Sequence, residues 1–516
     1  MISNTIVGEP SYKNVLPSNF FHGYASASYQ IEGGYRQDGR GSSIWDEYLK
    51  NQENGNEAVD SYNHWKEDVQ LLKQYNSSVY RFSISWSRVK PLGGKNDPVN
   101  EGGIEYYNKL IDELLEAGIT PWITIYHWDL PLELQNRYNG LATEDTNRIV
   151  EDFVSYSQLL FERFGDRVKN WITLNEPLVV TALSSFGLIP KWDARTSPFT
   201  HAKNLLLVHG YTVDLYRREF QPNQGGQIGI TLNCDWVSPI DDSPEATACA
   251  EQSVASVLGW SVSGETLNAS RFRANTFTDN GRVNPVLKER FGDTFLDFSP
   301  QEWNVIKGSS DFTLVTHNVL MKPVAYSFGL NHYGTKYATG KKLDANKAYD
   351  SDATVQDKVA FFFAGNVELT AIGKDGKVIG NRGFNDHPLD VPWGFRDLLR
   401  YCWNSYCKSS DIPIVITENG FATDGEAEMS LDEIINDTQR QTYYNGYIKE
   451  LIEAVRDDGI KISGYMGWSL MDNLEWMFGY APRFGVTYVD REHDFGRYPK
   501  DSTKLLKAIW EHTVGK

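Results

Sequence analysis

Basic residues are in short supply. The chain of 516 residues has 50 lysines and arginines against 68 aspartates and glutamates, a formal net charge of −18. A surface this acidic repels phosphate backbones and anionic headgroups, so neither nucleic acid nor a membrane surface is expected as a partner. Cysteine is equally scarce. Cys234, Cys249, Cys402 and Cys407 are too few for a disulfide framework at this length, and no C-x-x-C or C-x-x-H pair suggests zinc. The ten histidines include no H-E-x-x-H, and no P-loop or G-x-G-x-x-G follows a candidate strand. Neither a metal nor another cofactor is expected.

Long apolar runs are also missing. Stretches such as Leu178–Leu183 fall far short of the roughly 20 residues that span a bilayer. The segment from Met1 to Pro17 has no basic start and no apolar core, so it does not read as a signal peptide. The sequons at Asn76, Asn268 and Asn436 then read as chance matches, and the expectation is a soluble, cytoplasmic protein. Internal repeats, low-complexity blocks and Pro- or Ser-rich linkers are absent. This points to one domain over 1–516. What is abundant is aromatic residues, with 15 Trp, 28 Tyr and 25 Phe. Such rings fill large cores and also stack on sugars.

Eight apolar, β-branched or aromatic runs read as strands buried on both faces: Phe20–Ser28, Val79–Trp86, Thr120–His127, Trp171–Asn175, Gln227–Cys234, Phe328–Tyr333, Pro413–Glu418 and Ile462–Leu470. Amphipathic helices lie between them. Their stripes are Trp65, Val69 and Leu72; Ile104, Tyr107, Ile111 and Leu114; Ile149, Phe153, Ser157, Leu160 and Phe164; and Tyr444, Ile448, Leu451, Ile452 and Val455. Gly118, Gly165 and Gly459 follow three of these as expected left-handed caps. Eight alternating strands and helices predict an α/β fold, a single (β/α)8 TIM barrel. The long stretches around the fifth strand, and between the sixth and seventh, are expected as loop excursions over one end of it.

A barrel gathers its chemistry at the C-terminal ends of its strands. The fourth run ends Thr173-Leu174-Asn175-Glu176-Pro177 and the seventh ends Thr417-Glu418-Asn419-Gly420. A glutamate at a strand end commonly favours the dipole of the next helix. Two at matching strand ends make a paired-carboxylate site the stronger reading.

The chain resembles glycoside hydrolase family 1, the β-glucosidase family. Six motifs in family order carry the resemblance. These are Phe21 to Gly33, Tyr80-Arg81-Phe82-Ser83-Ile84-Ser85-Trp86-Ser87-Arg88, Tyr126-His127-Trp128-Asp129-Leu130-Pro131, Thr173 to Pro177, Ile416 to Gly420, and Trp468 to Trp476. The resemblance implies a retaining double displacement on terminal unphosphorylated β-D-glucosyl or related residues of small glycosides. Glu418 is the implied nucleophile and Glu176 the implied acid/base. Such carboxyl groups stand about 5–5.5 Å apart.

By family position Arg81 and Tyr333 support the nucleophile, together with Asn175. Gln30, His127, Trp128, Asn175 and Glu475 meet the glycone. Trp476 stacks under its ring, and Trp468 lies nearer the aglycone. An arginine inside an apolar strand needs a partner, and Glu418 is the favoured one for Arg81. Family members acting on 6-phosphosugars lack the glutamate corresponding to Glu475, whose charge would repel a phosphate. Plant thioglucosidases replace the acid/base glutamate by glutamine, so Glu176 favours O-glycosides.

Two stretches depart from the family pattern, near 261–280 and 313–327. They read as in-frame insertions, of the kind unspliced intron sequence would leave. The second leads into the sixth strand, which puts the placement of Tyr333 at stake. Two further readings stay open: a catalytically impaired sugar-binding barrel, and a transglycosidase in which an acceptor alcohol replaces water. A homo-oligomer is compatible with either.

Overall fold

The eight apolar runs form eight parallel strands. These are β1 (Phe21–Ala25), β2 (Val79–Ser83), β3 (Thr120–Tyr126), β4 (Asn170–Asn175), β5 (Gln227–Asn233), β6 (Phe328–Asn331), β7 (Ile414–Glu418) and β8 (Ile462–Trp468). They close into a barrel in chain order, sealed where β1 pairs with β8 (Ala25 opposite Trp468) and with β2 (Gly23 opposite Val79). This computed structural model describes residues 6–258, 262–265, 273–276, 298–306, 309, 328–408 and 411–516, with 262–265 and 273–276 as backbone only. The expected (β/α)8 barrel is what it shows.

One long helix follows each strand: α1 (Ser61–Gln74), α2 (Glu101–Glu116), α3 (Thr146–Phe164), α4 (Ser197–Leu215), α5 (Pro244–Leu258), α6 (Pro392–Cys402), α7 (Thr438–Asp458) and α8 (Asp501–Thr513). Each stripe packs on the barrel. Ile104, Tyr107, Ile111 and Leu114 of α2 are buried, as are Ile149, Phe153, Leu160 and Phe164 of α3. Among the described residues no helix is long and apolar enough to cross a membrane.

The glycine expectation divides. Gly118 and Gly459 have φ of +76° and +65°, the left-handed conformation that ends α2 and α7. Gly165 after α3 keeps a right-handed φ of −72°. What it supplies is room, because a Cβ there would sit 2.1 Å from Oε1 of Gln224.

Seven of the strands are shorter than their apolar runs, while β4 begins one residue earlier, at Asn170. β6 ends at Asn331 and leaves Tyr333 beyond the ladder, because the pairing of β7 with β6 shifts register between Ile416 and Glu418. The stretches after β5 and β6 build a small sheet. Trp236–Pro239 pairs parallel with Thr335–Lys342, which pairs antiparallel with Val367–Thr370. Residues 313–327 lie outside the described residues. Within 261–280 only the backbone of Val262–Glu265, paired antiparallel with Arg273–Thr276, is described. The consequence drawn for Tyr333 does not follow: β6 forms, and the Tyr333 side chain reaches the barrel mouth.

Candidate active site

The rim of the barrel collects the side chains that the strand ends carry. Glu418 is the last residue of β7 and is buried. Arg81, in the middle of β2, reaches across the barrel. Its Nη1 donates to Oε1 of Glu418 at 2.6 Å, and its Nη2 to Oδ1 of Asn175 at 2.6 Å. The remaining donors reach Thr124 Oγ1 at 3.1 Å and the Thr417 carbonyl at 3.0 Å. A buried guanidinium in an apolar strand is tolerated when its fork is satisfied in this way. Tyr333 donates its phenol to Oε2 of Glu418 at 2.7 Å. Burial first, then the neighbouring carboxyl charges, holds that phenol well above its ordinary range, so it remains a donor.

Glu176 follows β4 in a left-handed conformation, φ +44° and ψ 67°, and caps the helix Pro177–Leu183. Its backbone N–H donates to the Thr231 carbonyl at 3.0 Å. A non-glycine residue in this region is strained and persists only where its surroundings hold it. Its side chain is also buried, but among the described residues no cation pairs with it. Oε1 accepts from the Asn331 amide at 2.8 Å. Burial drives the Glu176 carboxyl well above the carboxylate range, and the charge of Glu418 adds to the rise. Burial lifts Glu418 too, but Arg81, the Tyr333 phenol and the Asn331 amide pull it back. Both carboxyl groups thus lie within reach of one amide. Arg81 and the Tyr333 phenol bond Glu418 directly, so the surroundings favour the charge of the pair on Glu418 and the proton on Glu176.

The remaining pocket side chains surround that pair. Gln30 gives its amide hydrogens to Asn473 Oδ1 at 3.1 Å and the Leu474 carbonyl at 2.7 Å, leaving its buried Oε1 without a partner among the described residues. His127 accepts from the Asn175 amide at Nε2, 3.2 Å away, while its buried Nδ1 has no partner among the described residues. Burial, then the charge of Arg81, holds the His127 pKa well below its usual value, so the ring is neutral and Nδ1 carries the hydrogen. A free acceptor and a free donor in one pocket suit hydroxyl groups.

Trp476 lies against Trp128, Trp45 and Tyr29, with ring centroids 4.7, 4.6 and 6.2 Å away. The rings of His127 and Trp468 stack at 5.9 Å. The indole N–H of Trp128 donates to the Asn175 carbonyl at 2.8 Å, so that residue presents ring surface while its polar group fixes Asn175. Glu475 is half-buried and close enough to Glu418 to feel its charge. Burial, then the charge of Glu418, raises it to about 8 against a hydrogen bond from Gln30. That shift weakens its charge near neutral pH, and the repulsion of a phosphate expected of it grows toward alkaline pH.

Every residue expected at the site stands at this rim. Two more emerge only in three dimensions. Asn331 touches Glu176, Asn175 and, as acceptor, Thr417 Oγ1 at 2.7 Å. In the sequence it lies inside the sixth apolar run, so nothing marked it as a strand end. Asp235, just past β5, bonds the backbone that carries Tyr333. No motif marks it. Among the described residues no group of three or more His, Cys, Asp or Glu is arranged to hold a metal.

A neutral carboxylic acid and a charge-stabilised carboxylate over one pocket form the working pair of the two-carboxylate glycosidases. Comparison with known proteins is consistent with that class. The model of glycosyl hydrolase family 1 matches residues 12–514. Beta-glucosidase 1B of Phanerodontia chrysosporium is 44% identical over 511 residues, covering 96% of this chain and 85% of that protein. The crystal structure of the beta-glucosidase from Trichoderma harzianum superposes with a TM-score of 0.82 at 36% identity, covering 99% of this chain and 100% of that one. The GH1 beta-glucosidase from Humicola insolens, solved in complex with glucose, gives a TM-score of 0.83 at 36% identity, covering 97% and 99%. The chain belongs to glycosyl hydrolase family 1.

Proposed function

We propose that the chain is a retaining β-glucosidase that removes terminal, unphosphorylated β-D-glucosyl residues from small O-glycosides by double displacement. The observation that carries this reading is the unequal treatment of the two carboxyl groups. Arg81 and Tyr333 both hold Glu418, while among the described residues Glu176 receives only an amide. In the first step the Glu418 carboxylate attacks the anomeric carbon, and Glu176 gives its proton to the departing glycosidic oxygen. The product is a glycosyl ester on Glu418 and a free alcohol. In the second step Glu176, now ionised, takes a proton from water as the water oxygen displaces Glu418. Two inversions return the β anomer.

Gln30 Oε1, the Nδ1 hydrogen of His127, the remaining amide hydrogen of Asn175 and the carboxyl of Glu475 are the hydroxyl-binding groups, and Trp476 is the apolar platform. A 6-phosphate would have to shed its hydration beside Glu475, with which no arginine or lysine pairs among the described residues. This favours unphosphorylated sugars. The test compares leaving groups. Glu176→Ala should slow a poor leaving group far more than an activated nitrophenol, because only the former needs the proton, and Glu418→Ala should abolish turnover of both. Equal slowing of both substrates by Glu176→Ala would remove the acid/base assignment.

A further inference from the structure

Asp235 sits where two sheets meet. The barrel ladder runs from Thr231 opposite Gly329 to Asn233 opposite Asn331, and continues as Cys234 N–H to the Asn331 carbonyl at 3.0 Å. Beyond the junction it resumes as Trp236 N–H to the Gly334 carbonyl at 3.1 Å and the pairing of Trp236 with Thr335. Between these points the backbone N–H groups of Tyr333 and Gly334 have no strand carbonyl to meet. Asp235 Oδ1 meets both, at 3.1 and 2.9 Å. One carboxylate oxygen thus stands in for the missing backbone acceptor, at the break that takes Tyr333 out of the strand and into the mouth of the barrel.

The geometry points to Asp235 as a positioning residue for the reaction: it anchors the turn that carries Tyr333 and, through the Tyr333 phenol, sets the Glu418 carboxylate. This rests on the glycosidase reading above and adds a residue to it. Asp235 has a second effect, through charge. After burial, the charge of Glu418 and, less strongly, that of Asp235 favour the protonated form of Glu176, while that of Arg81 opposes it. Around Asp235 itself stand His332 Nδ1 at 3.8 Å and His387 Nδ1 at 4.0 Å, with Cys234 and Tyr447 close by and Lys336 beyond His387. His332 gives its Nδ1 hydrogen to the Cys234 carbonyl at 2.9 Å rather than to Asp235.

The two effects separate by substitution. Asp235→Ala removes acceptor and charge, whereas Asp235→Asn removes the charge and keeps an acceptor oxygen for the two N–H groups. For Asp235→Ala, kcat/KM should fall about tenfold or more. In a Tyr333→Phe background the same change should cost under about twofold, because both act through one contact. Asp235→Asn should lower kcat/KM at the optimum less than Asp235→Ala does, while the alkaline limb of kcat/KM moves about half a unit toward lower pH as Glu176 loses a like-charged neighbour. Full additivity with Tyr333→Phe, or an Asp235→Asn enzyme with an unmoved alkaline limb, overturns the inference. Where Asp235→Ala does not fold, the Asp235→Asn profile decides alone. Failure here is distinct from failure of the glycosidase reading, which shows in the leaving-group test of Glu176→Ala whatever Asp235 does.

Discussion

Arg81 binds Glu418 across the interior of the barrel, Nη1 to Oε1 at 2.6 Å, although 336 residues separate its strand from the Thr417 carbonyl that the same nitrogen also meets. Both side chains are nearly inaccessible, so neither charge is tolerable without the other. The pair is at once a structural joint between β2 and β7 and the means of holding a carboxylate ionised in a buried pocket.

Removing the cation therefore has a signed consequence. In Arg81→Met the Glu418 carboxyl loses its main charge-stabilising neighbour and its pKa rises. The acid limb of the kcat/KM profile, which reports ionisation of Glu418, should move to higher pH, and kcat/KM at pH 6 should fall by roughly 10³-fold or more. Stripping one partner from a buried pair costs about 3–5 kcal/mol, reduced where Glu418 takes up a proton. Thermal melts and a pH–rate profile check both effects; an unmoved acid limb would contradict the assignment.

Tyr333→Phe deletes one charge-assisted hydrogen bond and leaves the ring. A loss of about 1.5–3 kcal/mol is expected, or roughly 10- to 100-fold in kcat/KM, with little change in melting temperature. Steady-state kinetics with a nitrophenyl glucoside measures it.

Trp476→Ala removes a ring packed on Trp128, Trp45 and Tyr29. The expected outcome is a raised KM for glucosides together with a stability loss of about 3–5 kcal/mol, read by denaturant titration. A raised KM at unchanged stability would mean that the ring touches sugar more than protein.

Gly420→Ala tests close approach. An added Cβ would lie 1.8 Å from the Trp468 carbonyl oxygen, a backbone atom with no freedom to move away. Glu418, two residues earlier, would be displaced with it. Both melting temperature and kcat should fall, the former by an overpacking cost of about 1–3 kcal/mol or more.

Much of this was legible in the chain. The barrel announced itself because parallel strands buried on both faces read as near-continuous apolar runs, and the arginine in Val79–Ser83 demanded a carboxylate. Strand ends were not legible, since a register shift at Glu418 and Asn331, not composition, stops β6 before Tyr333. Asn331 and Asp235 escaped notice because their work exists only once β5, β6 and β7 are adjacent. Gly165 resembled a left-handed cap, yet it serves a contact with Gln224, 59 residues away in the chain and invisible to local pattern. The upward shift of Glu475 was equally hidden, because it comes from burial and from the charge of Glu418 across the pocket.

The most direct test of the account is covalent trapping. Incubation with a 2-deoxy-2-fluoro β-glucoside bearing an activated leaving group, followed by peptide mapping, should find the fluoroglucosyl ester on Glu418, with inactivation and labelling rising together. A label on Glu176, Glu475 or any other side chain would contradict the account, as would inactivation with no adduct at all.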